Sequence, residues 1–341
     1  PNFNSLEKCL TSAGIDQEHI IRRSNETKYK EINWQWNTVN GHLEPMAYLV
    51  AKDVSYVRKA VICCQQLKIR LVPRSGGHSL VKSSFGDSDS LVIDLKRLNS
   101  ISVDPDQMSC EIGTGAQAGF ISYKLWKKGQ FMIPTGICPT VGIGGLASGG
   151  GYGYYTRFLG LTSDNLLELE MVDAQGKLRH PSDLANITRH CNVGMTKVKS
   201  IYVDVILDEV GISKLQTLLD AYLNFGIVHI EQNSGAVNNL TCSQTAFIHR
   251  GTNMYHIQLE VFSDAKEDVN LKAISAMNAF YESSRNVFHH RESYQNYLDE
   301  DISDYLERYY GANLRKLIEV KKRIDPGNMF HHPHSIPVDF V

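Results

Sequence analysis

Apolar positions change period along the first third of the chain, and those changes predict its elements. Asp53 is placed as a helix N-cap, and Val54, Val57, Val61 and Cys64 follow at helical spacing, which predicts an amphipathic helix over 53–67. Ile69-Arg70-Leu71-Val72 then reads as a buried strand that runs into a tight loop, Arg74-Ser75-Gly76-Gly77-His78-Ser79. Leu91–Leu95 reads as a second strand, Cys110–Gly113 as a third, and 117–128 as a short helix. Residues 1–45 are polar, and their weak period predicts no element.

Farther on, the run Leu166–Asp173 is turned by Ala174-Gln175-Gly176 and answered by Lys177-Leu178-Arg179, which predicts a hairpin. Lys199–Val205 alternates like a half-buried strand. A helix over 211–224 follows, then strands near 227–231, 242–248 and 255–262, and a long helix over 267–285. The end holds a helix over 311–323 and a turn at Asp325-Pro326-Gly327-Asn328. Strands and helices mix without strict βαβ alternation, so the pattern predicts an α+β fold rather than a doubly wound sheet.

One stretch breaks every period. Seven glycines fall between Gly142 and Gly153, just after Cys138. Such density does not suit a helix or a strand, because each glycine there gives up backbone entropy. It suits a backbone that lies flat against a guest and offers it N–H groups, and a diphosphate is the natural guest. A flexible linker would carry Ser and Lys; these glycines alternate with Val141, Ile143 and Leu146, which want burial. The run Gly142–Ala147 satisfies G-x-G-x-x-[GA], yet Cys138-Pro139 stands where a strand is needed and Gly149-Gly150-Gly151 where a helix is needed. A nicotinamide dehydrogenase is therefore the outside reading.

Composition narrows the class. The chain has 341 residues, enough for two domains, with 42% apolar and 21% charged residues. A net charge of −2 without a basic block argues against nucleic acid, and no apolar run reaches membrane-span length. Sequons at Asn25, Asn186 and Asn239, and a first residue Pro1 without Met, fit a processed secretory product. Seven cysteines is an odd number, so at least one does something other than pair within the chain. His331, His332 and His334 have metal-ligand spacing, but lie in a terminal run without converging ligands, and no metal site is expected.

The loop Arg74–Ser79, with Gly136-Ile137-Cys138-Pro139-Thr140-Val141-Gly142 after it, resembles the berberine bridge enzyme-like FAD-linked oxidases of the vanillyl-alcohol oxidase superfamily. The resemblance continues through Gly160–Asn165, Thr245–Arg250, Tyr294-Gln295-Asn296-Tyr297, Tyr309–Asn313 and Asp325–Phe330. It implies a two-part PCMH-type FAD-binding domain, residues 1–195 and 298–341, with a smaller α+β substrate domain of antiparallel sheet and covering helices over 196–297. It also implies FAD bound covalently twice, through the 8α carbon to His78 and through C6 to Cys138. The residue chemistry agrees: small neighbours let a His between Gly77 and Ser79 approach a planar ring, and Pro139 stiffens the loop that aims the thiol. The remaining cofactor candidates are Arg74, Ser75, Gly76, Gly77, Ser79, Pro139, Thr140, Val141, Gly142, Gly144, Gly145, Gly149, Gly150, Gly153 and Asn296.

An alcohol that gives up hydride must also lose its hydroxyl proton. The resemblance implies a tyrosinate base, here Tyr297 with Tyr294 as its neighbour. Gln295 and Asn296 are polar candidates for substrate contact, and His249 with Arg250 either lines the substrate region or, at least as readily, braces it. The phenol has to be lowered from its reference pKa of about 10 by a nearby positive charge, for which Arg157 and Arg291 are guesses. Otherwise both tyrosines simply pack in the core. The resemblance also implies a Cys9–Cys63 disulfide, leaves any Cys191–Cys242 pairing open, and makes Val141 a small residue that leans toward oxidase chemistry.

One departure stands out. After the hairpin, Pro181–His190 passes almost directly to Lys197, where the family has about a hundred further residues. The expectation is therefore a secreted, monomeric FAD-dependent oxidase with a more open pocket. It would oxidise a sugar or oligosaccharide hemiacetal with O2 as acceptor, releasing H2O2. Oxidation of a secondary-metabolite alcohol is the close alternative, and a catalytically idle flavin- or sugar-binding protein the non-enzyme one.

Overall fold

The protein is described from a computed structural model, over residues 2–37, 42–81, 85–180, 197–204, 207–251, 255–261, 267–288 and 292–339. Helix α3 (Val54–Leu67) begins at Asp53, whose carboxylate accepts from the Ser55 and Tyr56 amides, and ends on Lys68 in the left-handed region. It leads into β3 (Arg70–Arg74), which pairs in parallel with β4 (Ser90–Asp94). On the far side of β4 lies β2 (Ala47–Val50), parallel to it, and then β1 (Ile20–Arg22), antiparallel to β2.

Every residue of β2 and β4 is buried, because the sheet is covered on both faces. One face packs on α3 and on α1 (Phe3–Ser12) through Leu6, Leu10, Val61 and Cys64. The other packs on α2 (Glu26–Ile32) through Tyr29, Ile32 and Tyr48. A Cys9–Cys63 disulfide joins α1 to α3. The polar first 45 residues therefore hold α1, β1 and α2, which the weak apolar period hid. Each of these helices buries only two side chains, too few to set a visible period.

The strand expected at 110–113 is β6 (Ser109–Ile112), but its partner is β5 (Ile101–Asp104) in a separate hairpin. Helix α4 (Ala118–Gly129) buries Ile121 and Leu125 against Val141, Ile143 and Leu146 of the glycine segment. That segment corrects one expectation, since it holds a helix after all, α5 (Ile143–Ser148). The missing side chains are what allow it. A Cβ on Gly144 would stand 2.2 Å from Thr114 Oγ1, so only glycine lets this short helix sit so close to its neighbour. Next come α6 (Thr156–Leu159) and the short pair β7 (Met171–Val172) and β8 (Leu178–Arg179).

The second large sheet is antiparallel, in the order β10-β11-β9, with β9 (Lys197–Val203), β10 (Ile227–Gln232) and β11 (Tyr255–Val261). Helices α7 (Glu209–Tyr222) and α8 (Glu267–Phe288) cover it through Tyr222, Met277, Phe280 and Phe288 against Ile201, Ile257 and Leu259. The strand expected at 242–248 is absent; turns and loop occupy it, and the Arg250 guanidinium fixes it through Thr245 Oγ1 and the Asp164 carboxylate. Helices α9 (Tyr305–Tyr310) and α10 (Leu314–Ile324) close the chain. Asn186, Cys191, Arg291 and the shortened 181–196 run lie outside the described residues.

Candidate active site

Two loops meet by backbone. A Cβ on Gly76 would stand 2.3 Å from the Gly142 amide nitrogen, and one on Gly142 would stand 2.1 Å from Ser75 Oγ. Ser75 Oγ donates to Thr114 O at 2.5 Å, and Ser79 Oγ to Val81 O at 2.9 Å. Arg74 anchors the first loop from below: it pairs with the buried Asp94 carboxylate, donates to Ile32 O at 2.8 Å and lies 4.7 Å from the Tyr48 ring centroid. Its guanidinium is engaged by the fold.

His78 projects from this loop and is 4% exposed. Its ring stacks on Trp36 at 4.5 Å and 21°. Neither ring nitrogen has a hydrogen-bond partner among the described residues, although both are buried. Burial pushes the imidazole down to about 4, so it is neutral at neutral pH. Cys138, on the facing loop, is half-buried and free, with Sγ 3.5 Å from Thr140 Oγ1. The Pro139 carbonyl accepts from the Gly119 amide and that of Val141 from the Ala118 amide, each at 2.8 Å, so α4 holds this loop. Pro139 and Thr140 are exposed, whereas Val141 and Gly145 are buried.

The segment 293–299 reaches the same glycines from the other side. Asn296 lies against Gly149, where a Cβ would fall 1.5 Å from its Oδ1. Asn296 Nδ2 donates to the Tyr294 hydroxyl at 3.0 Å, the Gly151 amide donates to that same oxygen at 3.1 Å, and Asn296 Oδ1 is buried without a partner among the described residues. Gly150 packs on Phe247 and takes φ +105°, a conformation that glycine permits, and Gly153 lies against the Thr135 carbonyl.

Four rings stack in a column: His249 on Tyr202 (4.1 Å, 13°), Tyr202 on His256 (4.7 Å, 22°) and His256 on Tyr297 (5.6 Å, 14°). Tyr294 meets Tyr297 edge-on at 4.9 Å. Burial pushes Tyr294 up to about 12 despite the donors on its oxygen. Tyr297 is held well above its usual value by burial, then by Tyr294, Glu231 and Glu260. Tyr297 is half-buried and packs against the cluster of Tyr202, Phe247 and Tyr294.

A family model described as FAD binding domain matches residues 45–182, and one described as Berberine and berberine like matches residues 293–337. The two matches contain His78, Cys138 and the tyrosine pair. The chain belongs to the berberine bridge enzyme-like FAD-linked oxidase family. It is 34% identical over 191 residues to berberine bridge enzyme-like 8 of Arabidopsis thaliana, covering 52% of this chain and 36% of that protein. It is 40% identical over 188 residues to berberine bridge enzyme-like 18 of the same plant, covering 52% and 35%. The chain thus spans about a third of the length of these curated relatives.

The fold matches wild-type Physcomitrella patens BBE-like 1 with TM-score 0.86 and 23% identity, covering 98% of this chain and 100% of that one. It matches Phl p 4, a grass pollen allergen with glucose dehydrogenase activity, with TM-score 0.88 and 18% identity, covering 97% and 99%. The α+β, PCMH-type architecture is therefore that of the berberine bridge enzyme-like proteins.

Within this berberine bridge enzyme-like chain the structure brings together the loop of Arg74–Ser79, the glycine segment, and the segment of Tyr294 and Asn296. Gln295 and His249 are both buried and face each other, Nε2 to Oε1 at 3.1 Å, while His249 Nδ1 meets Glu292 at 3.0 Å. Arg157 bears on Tyr152 rather than on Tyr297. Sequence reading missed Tyr152, His256, Tyr202 and Glu231. Tyr152 stands in the glycine segment and donates to Gln232 O at 3.2 Å. His256 and Glu231 are cross-strand partners whose register could not be read before the strands were paired.

Proposed function

We propose that this chain belongs to a secreted FAD-dependent oxidase of CH–OH donors. Residues 1–195 and 298–341 would form the flavin part, and 196–297 the substrate part. One observation carries the reading: a neutral, buried imidazole with two unpartnered ring nitrogens stands on a loop pressed against the loop of a free thiol. An orphaned buried imidazole is costly unless a ligand completes it. His78 and Cys138 would be the two covalent attachment points, the glycines the bed for the diphosphate, and Asn296 Oδ1 a further acceptor. Bound FAD would supply the two-electron acceptor, with O2 taking the electrons onward to H2O2.

The protein's own part is binding, orientation and proton handling. Tyr297, half-buried beside Tyr294, would take the hydroxyl proton of the substrate as hydride leaves its carbon. As the described residues stand, its phenol is protonated at neutral pH. The base role therefore needs a positive charge that Arg157 does not bring, and Arg291, outside the described residues, remains the candidate. The open groove implied by the short chain, and the glucose dehydrogenase activity of the neighbour Phl p 4, favour a sugar or oligosaccharide. The Cys9–Cys63 disulfide supports an extracellular location, and no helix among the described residues is long and apolar enough to cross a membrane. We take the working form to be a monomer.

The raised Tyr297 phenol favours one second reading, a flavin-holding protein without turnover. Flavin reduction and peroxide release over a panel of sugars and alcohols separate the two. An oxidase bleaches its flavin anaerobically with one of them, and Tyr297→Phe then slows that reduction about 100-fold. An unchanged rate moves the base elsewhere, and no reduction by any substrate leaves the non-enzyme reading.

A further inference from the structure

The segment that carries the tyrosine pair is gripped from one strand. Among the described residues β9 is an edge strand, and residues 293–299 pack along it. Adjacent residues of a strand point to opposite faces. On one face Ser200 Oγ accepts from the Tyr294 amide at 2.6 Å, and the Ser200 carbonyl accepts from Ser293 Oγ at 3.0 Å. On the other, buried Lys199 pairs with the Asp299 carboxylate and lies 4.7 Å from the Tyr281 ring centroid. Both flanks of the pair are thus held by neighbouring residues of β9.

Tyr294 carries the contact farther. Its amide is bonded to the sheet, and its hydroxyl, at the other end of a 2%-exposed ring, accepts from the Gly151 amide. A tyrosine side chain has two torsions, and burial locks both, so a shift at one end is passed to the other. The two bonds join residues 94 and 143 positions apart in sequence.

We propose that Ser200 is a positioning residue, and that Tyr294 is a strut through which β9 sets the glycine segment and the attitude of Tyr297. The idea rests on the proposed function only for its catalytic half. It predicts that Ser200→Ala lets the segment relax, so that amide exchange in the 146–155 peptide, measured by mass spectrometry, speeds up about tenfold. The rate of flavin reduction at saturating substrate falls about tenfold, as a sub-ångström displacement of a reacting group allows, while the half-saturating substrate concentration stays the same. Ser200→Thr keeps the hydroxyl and restores both.

Exchange that is unchanged in Ser200→Ala overturns the strut. Faster exchange with an unchanged reduction rate overturns the positioning role, as does a loss that Ser200→Thr fails to repair. If the wild-type protein reduces its flavin with no substrate, the proposed function is lost, and the exchange measurement still decides the strut.

Discussion

The loops of His78 and Cys138 and the cluster around Tyr297 are built by different means. The loops meet backbone to backbone: Gly76 lies against Gly142, with no room for a methyl group between them. The cluster meets side chain to side chain, through a column of rings contributed by β9, the loop of His249, β11 and the segment after α8. A backbone contact tolerates no substitution and leaves a rigid signature in sequence. A ring column can be assembled from many residue types, and its members stay unremarkable until the strands are paired.

The sharpest way to break the comparison is Gly76→Ala. Its new methyl would meet the Thr140 and Gly142 backbone of the facing loop, which cannot rotate away. We expect about 3 kcal/mol or more of lost stability by urea unfolding, at the upper end of overpacking costs, and a protein that purifies without flavin. A stable, yellow Gly76→Ala protein would show that the loops are not held by their backbones.

A smaller effect concerns His78 in flavin-free protein. Burial lowers its folded pKa to about 4 from 6.5, so below the unfolded value the unfolded chain binds the proton more readily. Its contribution is whole above pH 6.5 and is lost as pH falls toward 4, amounting to about 3 kcal/mol at most. His78→Gln should flatten that part of the stability profile. An identical slope in both proteins would mean that the imidazole is not buried as described.

Legibility followed the same divide. The glycine run, the Arg74–Ser79 loop and the helix from Asp53 were readable because each depends on a local residue type. The first 45 residues were not, because α1 and α2 bury only two side chains each. The expected strand at 242–248 failed because Arg250, through Asp164 and Thr245, ties that stretch down as a loop. His256 stayed hidden because nothing in its own strand marks it: its meaning comes from Glu231 across the ladder and from Tyr202 and Tyr297 on its faces. The helix α5 was misjudged because glycine's entropy cost was weighed without the close packing that glycine permits.

The central claim is that His78 and Cys138 hold one flavin ring, and the visible spectrum of denatured, washed protein tests it most directly. The account predicts yellow colour retained by the wild type and by each single variant, His78→Ala and Cys138→Ala, with a changed spectrum in each, and lost only in the double variant. A colourless wild-type pellet, or a single variant that sheds all of its flavin, would contradict it.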